Sequence, residues 1–180
     1  MFIIFAFNSF DIEGHVTMHT GTERTNIHNS VAVWGSVSGH GQMVREISGR
    51  LDTVQFKRFL RDAINFYATE SALPLKYVHD RYPVHHAAAI KKWIQDNQSK
   101  IEMVPWPAAF GDVMPLERIW EDLLKMLNEP LREMKNTNQL WREIETSWPM
   151  LLTNDYVNNL LTSIPTLLQK IIDNDGNLVR

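Results

Sequence analysis

The spacing of apolar residues changes along this chain, and this change predicts strands first and helices later. Runs of apolar and β-branched residues predict strands at about 2–12, 30–38 and 41–48. Helical spacing begins at 52–67, where apolar residues recur on one face and Asp52 and Gln55 form a capping box. This order of elements is typical of an α/β fold.

The rest of the chain predicts short strands between longer helices. The predicted strands cover about 72–79 and 101–104. The predicted helices cover about 84–97, 115–130, 137–147 and 153–173. Proline sets several limits, because Pro149 separates the last two helices and Pro165 is expected to kink or split the final one.

Length and composition predict one domain over 1–180, with a core at about 1–128 and a C-terminal helical part at about 131–175. Cysteine is absent, which excludes disulfides and thiolate metal sites and favours an intracellular protein over a secreted one. The apolar run at 2–7 is much shorter than the roughly 20 residues of a membrane span. We therefore expect no membrane association.

Two carboxylates occupy positions where metal-dependent phosphodiester chemistry could be built. Asp80 follows a predicted buried strand, and Glu117 lies in the first turn of a predicted helix. Two-metal mechanisms need acids that converge on divalent ions from different elements. The ordinary alternative is structural, since an Asp often opens a turn and a Glu often complements a helix dipole.

Three histidines near Asp80 allow a competing zinc hypothesis. They are His79, His85 and His86. On a helix, the adjacent His85 and His86 point about 100° apart and do not converge on one ion. This argues for a structural or supporting role for His85.

Three segments, in this order, carry a resemblance to a known family. They are Val31-Ala32-Val33-Trp34-Gly35-Ser36, Val78-His79-Asp80-Arg81-Tyr82-Pro83-Val84-His85, and Pro105-Trp106-Pro107 leading to Pro115-Leu116-Glu117-Arg118-Ile119-Trp120. Residues 81–116 separate the two acids, which is close to the spacing used to name subfamilies. The chain resembles the catalytic core of mariner-type DNA transposases of the Tc/mariner superfamily.

The resemblance implies a ribonuclease-H-like α/β fold, in which a mixed sheet is flanked by helices and followed by C-terminal helices. It implies that Asp80 and Glu117 are the second and third of three catalytic acids that bind Mg²⁺ or Mn²⁺. DNA is the implied partner, a homodimer or a related transposase is a further possibility, and the nucleus, or else the cytoplasm, is the implied location.

The first acid of the family is missing from this sequence. The family's strand reads apolar-apolar-Phe-Ser-Asp-Glu, and here Phe7 or Ala6 stands where the Asp belongs. Asp11 and Glu13 are the nearest acids, but Asp11 lies too far along the strand to replace it. We therefore expect a degenerate site with weakened metal binding and impaired catalysis.

Other features predict weak binding to DNA. The sequence shows no helix-turn-helix region before the core, and the net charge of −3 with a pI near 6.1 predicts weak DNA binding by this domain alone. The alternative function is a retained, non-catalytic binding or assembly module derived from a transposase. A remnant without a selected role is a third reading.

Overall fold

Six strands of this chain form a single sheet. The computed structural model describes residues 2–11, 16–17, 30–69, 73–80, 82–106, 114–131 and 134–175, with the backbone alone at 2–11, 16–17 and 129–131. The strands are β1 (Phe2–Asp11), β2 (Val16–Thr17), β3 (Ser30–Ser38), β4 (Gly41–Glu46), β5 (Leu75–His79) and β6 (Ile101–Met103). All predicted strands within the described residues are confirmed, and the two-residue β2 was not predicted.

The sheet is mixed, in the order β4-β3-β1-β5-β6 with β2 also paired to β1. The first strands pair antiparallel, whereas β5 runs parallel to both β1 and β6. Parallel pairing places the carboxyl ends of β5 and β6 at one edge of the sheet. Asp80, the residue after β5, therefore lies at that edge.

Within the described residues, five α-helices cover the two faces of the sheet. They are α1 (Thr53–Tyr67), α2 (Ala88–Asp96), α3 (Pro115–Leu131), α4 (Thr137–Leu151) and α5 (Asn154–Asp173). One buried cluster joins the sheet to α1 and α2, and a second joins it to α3, α4 and α5. Among the helices that the structure describes, none combines the length and apolar character needed to cross a membrane.

Alternation along the strands assigns each residue to one of these two layers. Trp34 of β3 and Tyr77 of β5 pack in the cluster with α1, whereas Val33 of β3 and Val78 of β5 pack in the cluster with α3. We refer below to the α1 face and the α3 face of the sheet.

The helix predicted over about 84–97 is divided in the structure. Residues Pro83–His86 form a short 3-10 helix, and α2 begins only at Ala88. Ala87, between them, has extended backbone with φ −60° and ψ 140°. The division turns His85 back towards Asp80 instead of leaving it on the side of α2.

Proline does not end the C-terminal helices where the sequence predicted. Helix α4 continues through Pro149 to Leu151, and α5 continues through Pro165, so the prediction that Pro149 separates two helices was wrong and α5 is not split. Burial of Trp148, which is 1% exposed, holds the last turn of α4 in place. In α5, the Ser163 hydroxyl donates to the Leu160 carbonyl just before the proline, at 2.6 Å.

Gly35 of β3 lets two tryptophans approach the sheet closely. A Cβ built at Gly35 would lie 2.7 Å from Cη2 of Trp120 and 2.8 Å from Cη2 of Trp148. The two indoles also contact each other, with ring centroids 5.0 Å apart. The packing of α3 and α4 on the α3 face therefore depends on the absence of a side chain at position 35.

A polar contact ties α5 to α3. The Tyr156 hydroxyl donates to Asp122 Oδ2 at 2.8 Å, and Arg118 and Lys125 donate to the same carboxylate at 2.9 and 2.7 Å. Partial burial opposes ionisation, but the three hydrogen bonds outweigh it and lower the pKa of Asp122 to about 2.

We expect Gly35→Ala to destabilise the fold, because its Cβ would overlap two indole rings that are nine-tenths or more buried. Overpacking of this kind costs about 1–3 kcal/mol. Urea unfolding should show this loss, whereas Gly39→Ala should leave stability unchanged because its nearest neighbour would be 3.8 Å away. Equal stability of the two variants would contradict the packing argument.

We expect Asp122→Asn to lower stability near neutral pH, with the difference disappearing in acid. A carboxylate whose pKa is depressed in the folded state stabilises above its unfolded pKa of about 3.9. That contribution is lost as the pH falls from about 4 to about 2, the pKa of folded Asp122. Chemical unfolding of both proteins across this range measures it, and a gap that persists at the lowest pH would refute the assignment.

Candidate functional site

Asp80 begins the turn that follows β5, and its side chain is half-buried. Its Oδ1 accepts a hydrogen bond from the Tyr82 backbone N–H at 3.0 Å. An aspartate that bonds the backbone two residues ahead stabilises a turn. Asp80 therefore has the turn-stabilising role that the sequence allowed, and its carboxylate has further contacts.

The imidazole of His85 is the second partner of Asp80. His85 Nδ1 lies 2.9 Å from Asp80 Oδ1, and the His85 side chain is 0% exposed. The same nitrogen lies 3.3 Å from the Asp80 carbonyl oxygen. Because both neighbours are acceptors, Nδ1 must carry the proton, and this contact fixes the orientation of both side chains.

His79, the last residue of β5, completes a group of three. Its Nδ1 bonds the Asp80 carbonyl oxygen, and its Nε2 lies 3.0 Å from Met103 Sδ. The ring centroids of His79 and His85 are 4.7 Å apart. Burial and, second, the neighbouring His85 lower the pKa of His79 to about 4, so its imidazole is neutral at pH 7.

Glu117 lies in the first turn of α3, as predicted, with a half-buried side chain. Its backbone N–H donates to the Met114 carbonyl at 2.9 Å, which starts the helix. The side chain lines a groove of about 540 Å³ between α3 and α5. The polar residues of this groove include Glu117, Glu121, Asp122, Tyr156, Asn159 and Ser163.

The segments next to Asp80 and Glu117 pack on the same face of the sheet. Val78, two residues before Asp80, and Leu116, next to Glu117, are buried in one hydrophobic cluster. The Asp80 carboxylate itself, in the turn after β5, contacts His85, whose ring packs against Phe56 of α1. Convergence of Asp80 and Glu117 stays a prediction, supported by the cluster that their neighbours along the chain share.

Backbone register determines which residue of β1 is the neighbour of Asp80. Ile4 pairs with Val78 and Phe5 with His79, so position 6 comes next, beside position 80. Position 6 also lies opposite Gly35, whose missing Cβ would point at Trp120 on the α3 face. Opposed residues of a ladder share a face. Register therefore assigns position 6 to the α3 face, next to the end of β5 that Asp80 follows.

Position 7 faces the other way. Phe7 lies opposite Trp34, which packs on the α1 face. Asp11 lies opposite Ser30, five residues beyond position 6, about 16 Å along an extended strand. By alternation, position 11 also belongs to the α1 face, which argues against its replacing the missing acid, and Glu13 is outside the described residues.

The donors around Asp80 are rich in nitrogen. One ligand atom from each of His79, Asp80 and His85 lies within 4.8 Å of the others, and Glu117 is not a member of this group. Mg²⁺ prefers an octahedron of oxygen ligands. Over the side chains that the structure describes, the donor set at Asp80 therefore does not fit a magnesium pair.

Sequence reasoning considered the histidines but predicted the wrong local structure for two of them. Treated as helical, His85 and His86 point apart; in the 3-10 helix, His85 is buried against Asp80 while His86 is exposed. Pro83 next to the aspartate turn was the available signal for this geometry. The approach of Met103 to His79 had no signal in the sequence.

Residues 10–141 match the family profile described as DDE superfamily endonuclease. The chain is 26% identical over 152 residues to the transposable element Tcb1 transposase of Caenorhabditis briggsae, and 23% over 149 residues to the Tc1 transposase of Caenorhabditis elegans. Each match covers 82% of this chain and 53% of the relative. The chain thus spans about half the length of these transposases.

Solved structures of the Mos1 mariner transposase share the fold. Its catalytic domain aligns with a TM-score of 0.69 and 11% identity, over 98% of this chain and 84% of that one. A pre-cleavage Mos1 transpososome aligns with a TM-score of 0.76 and 11% identity, over 99% of this chain and 57% of that one. These matches confirm the ribonuclease-H-like α/β fold that the sequence predicted.

Proposed function

Since this chain belongs to the DDE superfamily endonuclease family, we propose that it is a transposase-derived endonuclease and strand-transfer domain with an incomplete metal centre. The observation that supports the proposal is the register of β1: Phe5 pairs with His79, so position 6 comes next to position 80, and position 6 pairs with Gly35 under α3. An alanine there supplies no ligand. We infer that metal binding is weakened and catalysis impaired.

We assign Asp80 and Glu117 the roles of the two remaining carboxylate ligands. The burial of their neighbours Val78 and Leu116 in one cluster supports this, as does the exposure that each side chain keeps. The family's ion is Mg²⁺ or Mn²⁺, matching the Mos1 paired-end complex that was solved with Mg. When two ions share a site, the carboxylate between them offsets their mutual repulsion. Loss of that carboxylate therefore weakens the binding of both ions.

DNA is the proposed substrate, bound weakly by this domain alone. The net charge is −3, and two cations next to the candidate site, Arg118 and Lys125, form ion pairs with Asp122. A second copy or a related transposase would then supply much of the DNA contact. This role places the domain in the nucleus.

The decisive test is to restore the acid. We expect Ala6→Asp to raise Mn²⁺-dependent nicking of supercoiled plasmid by at least roughly 10–100-fold, the range found when even indirect metal contacts are lost. The matched control is Phe7→Asp, one residue away on the α1 face, which should give no gain. Circular dichroism of both variants establishes that each is folded.

The outcomes separate the alternatives. Adding Asp80→Ala or Glu117→Ala to Ala6→Asp should abolish the gain. Nicking by the unchanged chain that requires both acids would mean that another group replaces the missing one. A folded but inactive Ala6→Asp would favour the non-catalytic binding or assembly module. A gain from Phe7→Asp instead would overturn the register argument.

We also expect weak, salt-sensitive binding to duplex DNA. At physiological salt, the dissociation constant should lie near the weak end of non-specific binding, about 10⁻⁴ M. Fluorescence anisotropy with a labelled duplex measures it at two salt concentrations. A constant tighter than about 10⁻⁶ M would show that the acidic net charge does not control DNA contact.

A further inference from the structure

The turn after β5 gathers two imidazoles and a carboxylate that the proposed magnesium chemistry does not use together. One ligand atom of each of His79, Asp80 and His85 lies within 4.8 Å of the other two. His85 Nδ1 and Asp80 Oδ1 are 2.9 Å apart. Two atoms bound tetrahedrally to one zinc ion at its usual bond lengths are about 3.3 Å apart, so the His85–Asp80 pair is already near that spacing, and the third ligand atom must approach by about 1.5 Å at most.

The fold holds this cluster in place before any ion arrives. His79 ends a strand that is paired on both sides, and His85 sits in the 3-10 helix (Pro83–His86) that follows the aspartate turn. His85 packs against Phe56, with ring centroids 4.4 Å apart. His79 and His85 are 8% and 1% exposed, so few rotamers are left to them. Preorganised ligands lose little freedom on binding.

The chemistry of the donors selects the kind of ion. Imidazole nitrogen suits zinc, cobalt, nickel and copper, whereas Mg²⁺ keeps to oxygen and gives up its waters reluctantly. Three protein ligands with one open position is the pattern of a four-coordinate zinc site that can still take a water or another ligand.

We propose that His79, Asp80 and His85 bind one transition-metal ion of the Zn²⁺ class. This goes beyond the proposed function, because it gives Asp80 a second ligand role that does not involve Glu117. The ion takes the place of the proton on His85 Nδ1, which passes to the solvent, and it bridges that nitrogen to Asp80 Oδ1.

The test uses the full chain without a histidine tag. Isothermal titration with Zn²⁺ should show one site of micromolar affinity or tighter, and Co²⁺ should give the visible absorption of a low-symmetry nitrogen and oxygen site. Excess Mg²⁺ should not compete. A rise in Tm with Zn²⁺, and none with Mg²⁺ at equal concentration, checks binding to the folded protein.

Matched variants show which residues hold the ion. We expect His85→Asn and His79→Asn each to reduce Zn²⁺ affinity at least tenfold. Asn is chosen at position 85 because its amide can still donate a hydrogen bond to Asp80, which preserves the local contact without the imidazole ligand. His40→Ala, in the exposed turn between β3 and β4, should bind as the unchanged chain does. Unchanged affinity in both Asn variants, or displacement by Mg²⁺, would overturn the proposal.

If either Asn variant fails to fold, the titration and the Tm shift of the unchanged chain still decide the matter. Absence of a Zn²⁺ site in that protein would overturn the proposal by itself. These measurements contain no DNA, so their result does not depend on nicking. Zn²⁺ binding can be absent while Ala6→Asp restores nicking, and it can be present while Ala6→Asp does not. The two proposals therefore stand or fall separately.

Discussion

The space above Gly35 decides where α3 lies, and the position of α3 decides what can meet at the candidate site. Trp120 and Trp148 both come within 3 Å of the point that a Cβ of residue 35 would occupy. Glu117 precedes Trp120 by three residues, so the two side chains share one side of α3. The contact of the Trp120 indole with Gly35 therefore brings Glu117, the proposed third acid, to the α3 face.

The sheet pairing explains how the fold can tolerate the proposed loss of its first acid. Strand β1 contributes to the sheet through backbone pairing with β3 and β5, and that pairing does not depend on which side chain stands at position 6. A carboxylate placed beside other acids without a metal costs stability. Chemistry and fold are thus separable under this proposal: an alanine at position 6 supplies no ligand and leaves the strand order intact.

Much of the architecture could be predicted from the sequence because it follows from local periodicity. The strands and the capped helix α1 appear where alternation and Asp52 indicate them, and Asp52 caps as expected by accepting from Val54 and Gln55. The failures have tertiary causes. Pro149 stays within α4 because Trp148 is buried, and the 3-10 helix forms where Asp80 stabilises a turn. Neither cause is visible in a single window of sequence.

The candidate site was predictable only in part, for a similar reason. Spacing and resemblance pointed to Asp80 and Glu117, but the choice between Ala6 and Phe7 required the register, since a slip of one residue moves a side chain to the opposite face. The structure supplies that register through pairs such as Ala6 with Gly35. The sequence could show that an acid was missing, but not which position had lost it.

Competition for Asp80 links the two proposed metal centres. An ion that binds Asp80 Oδ1 must replace the hydrogen bond from His85 Nδ1. The replacement is favourable only for an ion that also binds the imidazole nitrogen well. Mg²⁺ gains little from nitrogen and loses water that it holds tightly. A carboxylate at position 6 would change the balance, because it adds negative charge and oxygen ligands on the α3 face, away from the imidazole of His79. If both proposals hold, the residue at position 6 determines which class of ion Asp80 binds.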